Sequence, residues 1–265
     1  MDQVINHRID FLVFGEGDIL VLLHSLLSDR RSFDAIAPQL AERFRVVVPA
    51  LPGFGESAPV EGGLEGVADR IAELVEAQSA GRGAILLGNG YGAFVALTLA
   101  SRRPDLVQRL ILAGCGARFS DPGRQAFLNM AEAAESGGLE AVADTAMARL
   151  FGAEFQAAHP ELIQDRRAAF LATDPEVFKA ACRSLAALDL TDQAPAVAVP
   201  TLIVTGDEDK ATPPIMAEAL AALMPKADYR LLAGCAHVPP LQAPDQFLET
   251  IEDGLVATAD PVSPR

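Results

Sequence analysis

The chain has 265 residues, 50% of them hydrophobic, with 36 acidic residues against 21 basic ones and a formal net charge of −15. That size and apolar content suit one large α/β domain, or one domain carrying an inserted lobe, and exclude a disordered or fibrous chain. The acidic balance argues against a nucleic-acid partner, whose affinity comes from clustered Lys and Arg, and suits a well-solvated surface.

The chain begins MDQVINHRIDF, acidic and polar where a signal peptide needs a basic start and an apolar run. No stretch approaches the roughly 18 uninterrupted apolar residues of a membrane-spanning helix. The expectation is a soluble, cytoplasmic protein without a membrane partner. Cys115, Cys182 and Cys235 are too scattered for a disulfide framework and lack metal-ligand spacing, so they read as buried thiols, with no metal or cofactor implied.

In chain order, short apolar runs bounded by Gly, Pro, Asn or Asp fall at residues 7–14, 18–23, 45–48, 84–88 and 109–113. The last three carry few charges, as strands covered on both faces of a mostly parallel sheet do. Helical spacing at residues 32–43, 64–79 and 91–102 alternates with them, the βαβ signature of a doubly wound sheet. From about Phe119 to Leu190 strand signals stop and the chain turns Ala-rich with helical periodicity. There Phe127, Met130, Phe151, Phe155, Phe170 and Phe178 either wall a cleft or form the lobe's own core; helical spacing is compatible with both. Strands resume at 201–205 and 228–232, with helices at about 214–223 and 243–254. The division expected is an α/β core over residues 1–118 and 191–258, a helical cap over 119–190 and a loose tail over 259–265.

The stretch LLGNGYGAFVA, residues 86–96, parses in two ways. As G-x-G-x-x-A it is a dinucleotide-binding turn, which should follow the first strand of its unit and be answered by a carboxylate ending the next strand. Three or four strands precede it, and the next strand ends in Leu112-Ala113-Gly114-Cys115, so both conditions fail. As a strand–turn–helix corner of the G-x-S-x-G kind it needs small residues two before and two after the tip, where side chains would collide. Gly88 and Gly92 supply them, and Gly92, Ala96 and Ala100 form a small-residue ridge that lets the helix approach the sheet. The tip itself is Gly90 rather than serine.

With LLHSLLSDRRSF, PALPGFGES, GNGYG, PDLVQRLILAG, GDEDKATPP and AHVPPLQAPDQF in that order, the chain resembles the α/β-hydrolase superfamily from near residue 10 to near residue 250. The resemblance implies a doubly wound, mostly parallel sheet with a helical cap inserted between the sixth and seventh strands. It implies Asp209 of Gly206-Asp207-Glu208-Asp209 as the acid, with Asp207 as the fallback, and His237 as the histidine. A buried carboxylate there fixes the imidazole tautomer and stabilises the imidazolium. It further implies oxyanion donors at the amides of Tyr91 and Leu26 and an organising role for His24. A small-molecule substrate is expected to contact Ser25, Phe119, Phe127, Met130 and Phe151. Ser25 stands where the family usually has glycine. His7 and His159 read as unremarkable loop histidines. Arg118, Arg124, Arg166, Arg167 and Arg183 could meet a substrate carboxylate, although surface placement suits most of them.

Gly90 cannot form an acyl-enzyme, and glycine adopts the positive φ of such a corner at little cost. Three readings follow. In the first, glycine has replaced the serine of a hydrolase of small, largely apolar esters, lactones or activated ketones and inactivated it; the restored GNSYG would resemble the elbow of carbon–carbon bond and ester hydrolases. In the second, the glycine is natural and His237 with Asp209 acts as a general base, as in the superfamily's lyases and cofactor-independent oxygenases. In the third, the pocket is a non-catalytic small-molecule binding site.

Overall fold

The computed structural model describes residues 9–255; His7 and the tail over 259–265 lie outside them. Seven strands form one sheet in the order β1-β3-β2-β4-β5-β6-β7. They are β1 (Phe11–Phe14), β2 (Asp18–Leu23), β3 (Phe44–Pro49), β4 (Ala84–Asn89), β5 (Val107–Ala113), β6 (Thr201–Gly206) and β7 (Ala227–Leu232). Only β1 pairs antiparallel, on β3, and every other neighbouring pair is parallel.

The helices are α1 (Ala37–Leu40), α2 (Gly63–Ser79), α3 (Tyr91–Arg102), α4 (Asp121–Gly137), α5 (Glu140–Leu150), α6 (Ala153–Ala158), α7 (Pro160–Leu171), α8 (Pro175–Ala187), α9 (Pro214–Leu223), α10 (Pro239–Gln242) and α11 (Pro244–Leu255). Successive strand side chains point to opposite faces. Val21, Leu23, Leu86, Leu110, Leu112 and Ile203 accordingly join the core under α2, α3 and α9. Leu20, Leu22, Ile85, Leu87, Ile111 and Val204 join the core under α1 and α11. The sheet is covered on both faces, which is why its central strands carry almost no charge.

Two expectations need correction. Residues 32–43 are not one helix: the Asp29 side chain caps a 3₁₀ turn over Arg30–Phe33, and Pro38, which cannot donate within a helix, opens the separate four-residue α1. The helical block lies between β5 and β6, the fifth and sixth strands of this chain, rather than between a sixth and a seventh. It leaves and returns at one neck, where Arg118 and Asp189 form an isolated antiparallel bridge. Its apolar residues Phe127, Met130, Phe151, Phe170 and Phe178 are continuous with the core under α3.

The β4–α3 corner sits closer to its neighbours than any side chain allows. A Cβ at Gly88 would lie 2.4 Å from the Gly92 carbonyl oxygen, and one at Gly92 would lie 2.1 Å from the Leu23 carbonyl oxygen. Both partners are backbone and cannot rotate away. Gly92→Ala is therefore expected to destabilise the fold by about 1–3 kcal/mol through overpacking; urea unfolding measures this, and a change below about 0.5 kcal/mol, ordinary for a surface substitution, would contradict the close approach.

Candidate functional site

In parallel α/β sheets the loops at the carboxyl ends of the strands gather residues distant in sequence. Here the loops after β2, β4, β5, β6 and β7 meet helices α4, α5 and α8 around a cavity of about 30 Å³. Ser25, Gly90, Arg149, Thr212 and His237 line it, with Leu26, Tyr91, Phe94, Phe119 and Phe127 as its apolar wall. Of the expected substrate contacts, Ser25, Phe119 and Phe127 border this space. Met130 and Phe151 are buried but do not, and Phe151 stacks on Phe155 at 5.4 Å between ring centroids as part of the helical core.

Gly90 forms the tip of the corner at φ 53° and ψ −116°, a conformation costly for any residue with a side chain. Its amide donates to the Ala113 carbonyl at 2.8 Å, and its carbonyl accepts from the amides of Ala93 and Phe94. With that carbonyl turned into α3, the trans peptide aims the Tyr91 amide the other way, out of the helix end. Asn89, one residue before the tip, donates from its side chain to the His237 carbonyl at 2.8 Å and so fastens the histidine loop to the corner.

His237 Nδ1 donates to Asp209 Oδ2 at 2.8 Å. Asp209 Oδ1 accepts from the Ala211 and Thr212 amides at 2.8 and 2.9 Å, and Oδ2 also accepts from the Thr212 hydroxyl at 2.7 Å. Burial acts to raise the pKa of this carboxyl, but the charge and hydrogen bond of His237 and the Thr212 donors outweigh it and hold it below its ordinary range. The carboxylate can only accept, so Nδ1 carries the proton and Nε2 of the neutral ring is a bare base. Nε2 faces Ser25 Oγ at 3.4 Å. Asp207 makes no such contact: its Oδ1 accepts from the Gly234 and Cys235 amides and shapes the loop ahead of His237.

Ser25 is held by its own backbone. Its carbonyl accepts from His24 Nδ1 at 2.9 Å, from the Ser28 amide at 3.3 Å and from the Ser28 hydroxyl at 3.3 Å. Three donors on that oxygen fix the Ser25–Leu26 peptide plane, and its trans geometry turns the Leu26 amide to the opposite side. Neither the Leu26 nor the Tyr91 amide donates a hydrogen bond within the described residues.

His24 fits this role as a neutral ring. Nδ1 donates to Ser25, Nε2 accepts from the Leu51 amide at 3.1 Å, and Phe54 packs edge-on at 4.9 Å. Burial lowers its pKa from 6.5 to about 4.

Sequence reasoning passed over Arg149 and Thr212. Arg149 lies over the Phe127 ring at 5.3 Å and brings a guanidinium to the cavity wall. Burial, the larger effect on it, lowers its pKa, although an arginine stays cationic. Neither carried a motif: Arg149 is one cation on an Ala-rich helix, and Thr212 matters only because the turn at Asp209 folds it back. The arginines singled out from sequence are otherwise engaged. Arg166 is buried and pairs with Asp29 at 2.9 Å, Arg167 with Glu140 at 2.7 Å, and Arg118 and Arg124 with Asp189; Arg183 is exposed. The thiols are buried, and burial pushes Cys182 and Cys235 up to about 12 and Cys115 higher still, so none is a thiolate nucleophile.

Tyr91 is also the partition to a second, larger cavity of about 410 Å³, walled by Pro52, Val60, Val67, Val177 and Ala181 and reaching the exposed Ala180. Among the described residues no three His, Cys, Asp or Glu side chains gather as a metal would need, and no helix is long and apolar enough to cross a membrane.

The His24 environment sets a pH dependence. Between pH 6.5 and about 4 the unfolded chain protonates this imidazole while the folded one does not, so its contribution to stability falls as pH drops through that window, by about 3 kcal/mol in all. Unfolding midpoints at pH 7, 5 and 4 are expected to fall more steeply for the wild type than for His24→Gln; parallel slopes would refute a neutral His24.

Comparison with known proteins places these features. The sequence profile of the Alpha/beta hydrolase family matches residues 20–250. The chain is 31% identical to a pimeloyl-[acyl-carrier protein] methyl ester esterase of Aeromonas hydrophila subsp. hydrophila over 252 residues, 90% of this chain and 96% of the relative. A thermophilic esterase from Thermogutta terrifontis superposes with a TM-score of 0.85 at 31% identity, covering 92% of each chain. The enol-lactonase from Burkholderia xenovorans LB400 superposes with a TM-score of 0.87 at 27% identity, covering 93% of this chain and 96% of the other. The chain belongs to the α/β hydrolase family and is a hydrolase.

Proposed function

We propose that this chain hydrolyses small, largely apolar esters or lactones, with His237 as general base and Asp209 as the group that orients it. One observation carries the reading: the Asp209–His237 bond at 2.8 Å holds the ring by Nδ1 and leaves Nε2 aimed at the β4–α3 corner. A base so placed takes the proton of an attacking hydroxyl and returns it to the leaving alcohol, worth about 10²–10⁴-fold. The Leu26 and Tyr91 amides are the donors for the oxyanion, a stabilisation costing about 3–4 kcal/mol when one donor is lost. Relatives that carry ester and enol-lactone hydrolysis in their names support the substrate class.

Gly90 in this reading is a fitted part of the site, and the elbow itself offers no nucleophile. A Cβ there would lie 2.6 Å from His237 Nε2 and 2.5 Å from Ser25 Oγ, so a serine does not drop into the corner without displacing both. That crowding favours a site adapted to glycine over one merely emptied of its serine.

The helical block over residues 119–190 acts as the cap. It supplies Phe127 and Arg149 to the reaction chamber and, through Val177 and Ala180, one wall of the larger cavity. The 30 Å³ chamber has room for about a water. The substrate's apolar part therefore occupies the 410 Å³ cavity beyond Tyr91, and its entry requires the Tyr91 side chain to yield.

Two measurements test the proposal. His237→Ala is expected to lower kcat/KM on p-nitrophenyl esters and aliphatic lactones by at least about 10²-fold with an unchanged fold, and Asp209→Asn by about as much; retention of turnover in both would end the base assignment. Ala180→Trp, which fills the larger cavity from an exposed helix position, is expected to raise KM for p-nitrophenyl octanoate about tenfold and leave the acetate within about twofold. An equal effect on both esters would place the acyl chain elsewhere.

A further inference from the structure

The proposed function leaves the attacking hydroxyl unassigned, and the corner beside His237 Nε2 is not empty. Ser25, on the loop after β2, puts Oγ 3.4 Å from Nε2 and within 2.5 Å of the point where a side chain at residue 90 would begin. Ser25, His237 and Asp209 therefore form a hydroxyl–imidazole–carboxylate chain of 3.4 and 2.8 Å, assembled from three different strand ends. Such a triad is defined by geometry and roles, and its hydroxyl–imidazole contact is commonly loose before substrate binds.

We propose that Ser25 is the nucleophile of this hydrolase, its hydroxyl having taken the place left by glycine at position 90. The inference rests on the hydrolase reading above and specifies which oxygen attacks. Serine where the family usually has glycine, and glycine at the elbow tip, stand across a gap of 2.5 Å from Oγ to the Cβ position of residue 90. Gly90 is what makes room: any Cβ on that residue collides with Ser25 Oγ.

The surroundings meet the requirements of the role. Ser25 borders the reaction cavity although it is only 2% exposed. Its backbone is immobilised by the three donors on its carbonyl and by the bond from the Gly92 amide to the neighbouring His24 carbonyl at 3.0 Å. At a strand–turn–helix elbow the residue after the serine supplies one oxyanion amide; the residue after Ser25 is Leu26, whose amide is turned away from the pinned carbonyl. Tyr91 supplies the other from the helix end. Leu26 and Tyr91 border the same cavity as Ser25.

The chemistry balances without a further reactant. Ser25 Oγ bonds to the ester carbonyl carbon while its proton passes to His237 Nε2, and the carbonyl π pair moves to oxygen between the two amides. Collapse of that intermediate breaks the bond to the alkoxy oxygen, which leaves as the alcohol with the proton from Nε2, and an acyl ester remains on Ser25. Water then adds to the acyl carbon, gives its proton to Nε2, and the intermediate releases the carboxylic acid as Ser25 regains its proton.

The test combines labelling with turnover. The whole protein is treated with an alkyl fluorophosphonate, whose phosphorus takes a serine oxygen as fluoride leaves, and is digested with trypsin. The label is expected on the peptide over residues 9–30, on Ser25 rather than Ser28 by fragmentation. Stopped-flow hydrolysis of p-nitrophenyl butyrate should show a burst of about one nitrophenolate per chain, the mark of an acyl-enzyme. Ser25→Ala should lose label and burst and fall at least about 10³-fold in turnover, with circular dichroism and melting temperature retained. The double exchange Ser25→Gly with Gly90→Ser should recover turnover and move the label to position 90. If Ser25→Ala keeps turnover within about threefold while His237→Ala loses it, water is the nucleophile and this inference fails while the hydrolase reading stands. If the wild type neither turns over any ester or lactone nor takes the label, both fall together.

Discussion

A single backbone hydrogen bond, from the Gly92 amide to the His24 carbonyl at 3.0 Å, joins the two halves on which the whole site depends. One half is the corner between β4 and α3; the other is the loop after β2 that carries Ser25 and Leu26. The bond forms only because nothing separates the two chains, and the Leu23 carbonyl already stands where a Cβ on Gly92 would go. A bulkier residue at position 92 would push the loop outward, and with it the hydroxyl and the amide that face His237. The packing of a helix on a sheet thus becomes the positioning of reacting groups.

The charged half of the site is built on the same plan, from backbone and short side chains. Asp209 is pinned by the Ala211 and Thr212 amides and by the Thr212 hydroxyl before it meets His237, so the carboxylate is oriented independently of the ring. His237 in turn is clamped at its carbonyl by Asn89 and at its amide by the Leu150 carbonyl, which ties it to both the corner and the helical block. A buried carboxylate with four hydrogen bonds is satisfied rather than strained, and it costs little reorganisation when the imidazole becomes charged.

Much of this was legible in the sequence for a physical reason: close approach forces small residues, and small residues at fixed spacing can be read. Gly88, Gly92 and Ala96 announced the corner, and uncharged runs announced strands buried on both faces. The seven strands and the helices at 91–102 and 214–223 followed directly. Asp209 and His237 came from the resemblance, and the structure brings them into contact. What periodicity could not carry is contact between elements distant in sequence. Whether an apolar side chain in the helical block faces the cavity, as Phe127 does, or the block's interior, as Met130 and Phe151 do, depends on how α4 and α5 rotate about their axes. Arg149 and Thr212 were missed for the same reason. The broken helix at 32–43 shows the opposite failure, because the apolar spacing was there but Asp29 and Pro38 gave the backbone a tighter local alternative.

The pairing of Gly90 with Ser25 is the feature that neither residue explains alone. Glycine at a strained corner saves the conformational cost a side chain would incur there, but it also removes the only oxygen the corner could offer. Serine on the facing loop brings one Cβ and one Oγ to within 3.1 and 2.5 Å of where a Cβ on residue 90 would lie, approached from the other backbone. The carboxylate and the two amides are fixed by bonds that involve neither side chain, whereas the imidazole, with Nε2 2.6 Å from a Cβ built on residue 90, sits where glycine alone leaves it room. An exchange of this kind preserves packed volume and the direction of proton transfer, and changes only which strand end carries the reacting oxygen.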